Sequence, residues 1–169
     1  MRLSLVGHDH KYAVEQVMLT LFPEERPVYA DPDKREAISA EVRLSHGGKF
    51  STAVTRISLA GKTFCGTARI VTPDPADTRT WNRLIQKIIR LSFFRAGVLA
   101  TGKSPPWGAL SGIRPGKRAT ARLEAGLSPK QVRRVLEREY QVQPARAALC
   151  IDPGDLHGMY SYARACRAM

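Results

Sequence analysis

The chain has 169 residues, 43% of them hydrophobic and 25% charged, and a formal net charge of +12. That is enough apolar material for a packed core, and the longest apolar run, Ile88 to Phe94, is broken by Arg90 and far too short to span a bilayer. An N-terminus without an apolar stretch of signal-peptide length, and three cysteines (Cys65, Cys150, Cys166) without a Cys-x-x-Cys pair, point to a reducing, cytoplasmic setting.

The charge is one-sided. Residues 1–78 hold ten Lys and Arg against ten Asp and Glu, whereas residues 79–169 hold 17 against 5. A field of this kind draws phosphates, polycarboxylates or an acidic protein face.

In chain order, Arg2 to Val6 alternates as a strand, with Leu3 and Leu5 on one side. His8-Asp9-His10 reads as a polar strand end rather than a metal site, since two histidines and one carboxylate make a weak ligand set. Tyr12 to Phe22 has Val14, Val17, Met18 and Leu21 at helical spacing, and Pro23 ends it. Glu24 to Arg35, with two prolines and many charges, reads as a loop. Residues 37–44 alternate with Ile38, Ala40, Val42 and Leu44 inward; Gly47-Gly48 turns the chain. Strands near Phe50 to Leu59 and Thr63 to Thr72, joined at Ala60-Gly61-Lys62, complete a βαβββ order with an antiparallel meander.

Pro73 to Thr78 breaks the chain, and Asp77 or Thr78 caps the next helix. From Arg79 to about Ala100, Trp81, Leu84, Ile85, Ile88 and Leu91 share one face, and Arg79, Arg83, Lys87 and Arg90 form an outward basic stripe. Shorter helices follow: Ala119 to Ala125, ended by Gly126; Lys130 to Tyr140, capped by Ser128-Pro129; and one from Pro144 to about Cys150. Leu156 to Met169 reads as a last helix or a fraying tail. The fold class is α+β, a small antiparallel sheet packed by helices (1–100) followed by a helical half (101–169).

Residues 107–118 concentrate the chemistry. Three glycines and a proline bend the chain beside Trp107, and Arg114, Lys117 and Arg118 add charge. A glycine loop opening a helix can present backbone N–H groups to an anion, and Arg can clamp it. The expected ligand- or partner-binding residues are therefore Trp107, Gly112, Arg114, Lys117 and Arg118. The spacing is not that of a phosphate-binding Walker loop. No catalytic or metal-ligating set is suggested by spacing, and no cofactor is expected in this chain alone.

The run Trp107-Gly-Ala-Leu-Ser-Gly-Ile-Arg-Pro-Gly-Lys117, followed by Arg122 to Ser128 and the helix ending at Tyr140, resembles the N-terminal region of oxygen-independent coproporphyrinogen III oxidase-like radical SAM proteins, in their coproporphyrinogen dehydrogenase branch. The likeness is specific over about residues 107–150; before that it is one of layout, strands and then a long helix. It implies a parent oxidoreductase of porphyrin and heme biosynthesis that removes propionate carboxyls oxidatively, using S-adenosylmethionine and a [4Fe-4S] cluster on Cys-x-x-x-Cys-x-x-Cys. That cysteine string is absent, so no catalytic residue carries over. The resemblance implies either an excised N-terminal domain or a stand-alone relative without the chemistry; the first is the expectation, an accessory domain without catalysis of its own whose partner is a following catalytic barrel or an acidic substrate. The alternative reading is a helix–turn–helix module for nucleic acid, with Arg133, Arg134 and Arg138 exposed on its second helix.

Overall fold

A computed structural model of the chain describes residues 1–29, 37–110 and 114–151. They fall into two compact units, Met1–Ser104 and Pro105–Met169.

The first unit runs β1 (Arg2–Val6), α1 (Lys11–Leu21), β2 (Val28–Tyr29), β3 (Ile38–His46), β4 (Phe50–Leu59), β5 (Lys62–Val71) and α2 (Thr78–Thr101). The strands form one sheet in the order β2-β1-β3-β4-β5. Its α+β class, with helices packed on a sheet, agrees with the sequence. The sheet itself is mixed and not wholly antiparallel: β1 runs parallel to both β2 and β3, while β3, β4 and β5 form the antiparallel meander. The helix between β1 and the strands after it carries the chain back to its starting side, so the next strand enters in the same direction. The two-residue β2 lies in the stretch read as a loop.

Alternation decides which face each strand buries. Leu3 on β1, Ala40, Val42 and Leu44 on β3, Ala53 and Ile57 on β4, and Ala68 on β5 are all buried. Helix α2 covers this face along β4 and β5, and α1 packs beside it. Ile85, Ile88, Ile89, Phe93 and Phe94 of α2 are almost fully buried, as are Val14, Val17 and Met18 of α1. Each such side chain contributes about 1.5–3 kcal/mol by leaving water. Gly66 of β5 lets α2 approach closely, because a Cβ there would run into the Ser92 carbonyl oxygen and the Ala96 amide. The buried hydroxyls Thr55 and Ser92 satisfy each other at 2.9 Å between β4 and α2. The basic stripe of α2 is outward only near the start of the helix: Arg79 and Arg83 are exposed, Lys87 and Arg90 half-buried.

Asp77 caps α2 by accepting from the Thr80 amide at 3.0 Å, and Gly102 ends it in the left-handed region at φ 66°. The β4–β5 turn is the two-residue Ala60-Gly61, with φ of 51° and 74°. These are the positive angles a tight hairpin of matching twist requires.

The second unit contains α3 (Pro115–Glu124), α4 (Pro129–Tyr140) and α5 (Pro144–Leu149). Each starts on proline, which has no N–H to leave unpaired there. Ser128 and Gln131 form a reciprocal capping box at the start of α4. Ala119, Val132, Leu136, Tyr140, Val142 and Ala147 make the small core with Leu110. The helix considered for Leu156 to Met169 lies outside the described residues. Among the described residues, no helix is long and apolar enough to cross a membrane.

Candidate binding site at the start of α3

Trp107 lies half-buried against the core of the second unit, and the Arg146 guanidinium stands 5.7 Å from its ring centre. The chain on either side of it is tied to the C-terminal end of α4 and the residues just beyond. The Ala109 amide donates to the Tyr140 carbonyl at 2.8 Å, and the Gln143 amide donates to the Pro106 carbonyl at 3.0 Å. Gly108, at φ 56°, is the glycine this geometry needs, because a Cβ would collide with the Tyr140 and Gln141 backbone. Trp107 thus anchors the bend by packing.

The cations of the segment divide into two kinds. Arg118 is half-buried; it donates to the Tyr140 hydroxyl at 2.7 Å and lies 5.2 Å from that ring's centre. Its charge serves the fold of the unit. Arg114 and Lys117 are exposed, and neither forms an ion pair among the described residues. Arg114 is the N-cap residue of α3; its side chain makes no capping bond, and no acid occupies the first turn. The positive end of a helix dipole, with two cations beside it and no carboxylate in that turn, is an arrangement that attracts an anion. Gly112 lies outside the described residues.

Two members of this neighbourhood, Tyr140 and Arg146, are not among the residues the sequence singles out. Tyr140 continues the Val132, Leu136 spacing by four and is legible as core on that ground. Arg146 carries no sequence signal; it approaches Trp107 only because α5 folds back onto the bend.

Along α4, Lys130, Arg133, Arg134 and Arg138 are exposed, although Arg133 donates to Glu137 at 2.6 Å. Arg122 and Glu139 bridge α3 and α4 at 3.8 Å. No protein-family model, curated protein or solved structure matches this chain.

Elsewhere among the described residues, His8, His10 and Tyr29 are held by neighbouring groups. His8 sits with Nε2 3.2 Å from the Val42 carbonyl and Nδ1 accepting from the His10 amide at 3.2 Å. Burial holds both His8 and His10 below the ordinary imidazole pKa. Burial also raises the Cys150 thiol, away from the thiolate a nucleophile needs. Tyr29 donates to Glu15 at 2.6 Å, and burial with that bond raises its pKa far above the ordinary phenol. Cys65 is exposed on β5, Cys150 follows α5 in the other unit, and Cys166 lies outside the described residues. Three thiolates on a short loop are what a [4Fe-4S] cluster requires, and this donor set does not fit one.

Proposed function

We propose that this chain is the N-terminal accessory part of a radical SAM enzyme of the coproporphyrinogen dehydrogenase type, working in the cytoplasm. In this role it performs no redox chemistry. It presents a basic helix start to carboxylates, either the propionates of a tetrapyrrole substrate or an acidic face of the catalytic barrel. The sequence likeness over residues 107–150 supplies the family, and the observation that carries the reading is at α3. Arg114 and Lys117 stand exposed at a helix N-terminus that has no acid in its first turn. S-adenosylmethionine and the cluster would belong to the barrel, since the cysteines here cannot ligate one.

A purified chain titrated with coproporphyrin, a tetracarboxylate, should shift the porphyrin absorbance and quench tryptophan fluorescence. In a parallel assay it should bind the separately produced barrel. An Arg114→Glu/Lys117→Glu variant should weaken the response roughly tenfold or more, because it replaces attraction by repulsion at the helix end. No binding to either partner, or a variant that binds as well as the parent, overturns the reading.

A second reading rests on the α3–turn–α4 pair and the four exposed cations of α4. A salt-sensitive gel shift with duplex DNA, abolished by Arg134→Glu/Arg138→Glu, would favour it.

A further inference from the structure

Within the first unit, helices cover one face of the five-stranded sheet; among the described residues the side chains of the other face are exposed or half-buried, and arginines and hydroxyls prevail there. The register places Arg2, Arg43, Arg56 and Arg69 on this face, one on each of β1, β3, β4 and β5, and the one carboxylate that these strands set among them is Glu41. Glu41 is shared by Arg43 at 3.4 Å and Arg56 at 3.3 Å, so one negative charge serves two guanidinium groups. Arg69 lies 4.5 Å from the centre of the Phe50 ring at the far end.

The register also fixes the spacing. Arg2 is level with Ser58, Arg69 is level with Thr52, and β1 and β5 are three strand spacings apart. At about 3.3 Å per residue and 4.8 Å per strand, Arg2 and Arg69 stand roughly 25 Å apart, with Arg56 and Arg43 between them. The cations form a diagonal across the sheet and not a cluster. At the Arg2 end, reaching round the β1 edge of the sheet, lies a depression of about 890 Å³ whose lining includes Arg2, Ser4, Arg56 and Ser58 together with the carboxylates of Asp9 and Glu41.

We infer that this open face binds a single-stranded nucleic acid, with the phosphodiester backbone following the arginine diagonal and one base splayed into the depression. A line of separated cations with flanking hydroxyl donors suits a repeating phosphate chain. An acidic protein would need an apolar centre to its interface, and here the apolar side chains, such as Val6, Val54 and Val71, are scattered among polar ones. With Phe50 the one aromatic ring that β1, β3, β4 and β5 present on this face, Phe64 lying on the covered side level with Ile57, binding is dominated by charge and is largely indifferent to sequence. This inference concerns the first unit alone and does not depend on the reading given for α3.

Fluorescence anisotropy of the full chain with a labelled single-stranded oligouridine, across a salt series, tests it. Binding should weaken with salt. Arg56→Gln/Arg69→Gln should raise Kd roughly tenfold and reduce the salt slope by about 0.7 for each phosphate that is no longer neutralised. Arg56→Lys/Arg69→Lys should retain most of the affinity, while Arg79→Gln/Arg83→Gln on α2 removes equal charge from the helix layer and should change little. No binding at low salt, duplex bound as tightly as single strand, polyglutamate competing equally well, or parental affinity in the sheet variant each overturns the inference.

Discussion

The Arg118 guanidinium donates to the Tyr140 hydroxyl at 2.7 Å and lies over the same ring, 5.2 Å from its centre. One side chain thereby joins α3 to the end of α4 through both a hydrogen bond and a cation–π contact. Tyr140→Phe removes the bond and keeps the ring, and should cost about 1 kcal/mol in urea unfolding followed by tryptophan fluorescence. Tyr140→Ala removes core volume as well and should cost about 3–5 kcal/mol. If Tyr140→Phe and Arg118→Met act additively in the double variant, the two side chains are not coupled.

Gly66 and Gly48 form a contrast in one sheet. A Cβ at Gly66 meets the α2 backbone, whereas nothing lies within 4 Å of one at Gly48. Gly66→Ala should therefore destabilise by about 1–3 kcal/mol or more, from forced separation of helix and strand. Gly48→Ala should be close to neutral in the same melt.

The Ala60-Gly61 turn holds a non-glycine residue at φ 51°. Asparagine tolerates that region better than alanine. Ala60→Asn should raise stability by a few tenths to about 1 kcal/mol, seen as a higher denaturant midpoint with an unchanged slope.

Stability should fall as the pH drops below the imidazole range. His8 has its pKa lowered in the folded state, chiefly by burial. Above the unfolded value of 6.5 both states are neutral and His8 adds no pH dependence. Between that value and its lower folded pKa the unfolded chain binds more protons, so folding loses free energy until the folded ring protonates too. Denaturant midpoints across this window should fall less steeply in His8→Gln than in the parent. Equal slopes would exclude His8 as a contributor.

Much of the first unit was legible because its elements are long and two-sided. The alternation of β1 and β4 and the helical spacing of α1 and α2 place these elements to within about a residue. Ala40, Val42 and Leu44 face inward as read. Strand β2 was not legible, since two residues carry no period, and neither was its direction, because alternation is the same for parallel and antiparallel neighbours. At the candidate site, the bend at Trp107 and the exposed pair Arg114 and Lys117 follow from local sequence. The different fate of Arg118 does not: its partner lies 22 residues away and is chosen by tertiary packing.

The parallel placement of β1 bears on the order of assembly. The three meander strands join through tight reversals between neighbours, so they can zip with little chain entropy lost. Seating Leu3 beside Ala40 has to wait until a much longer excursion has closed. Amide exchange should find the N-terminal flank the first part of the sheet to open and the last to gain protection during refolding, with the β3–β4–β5 amides protected earliest.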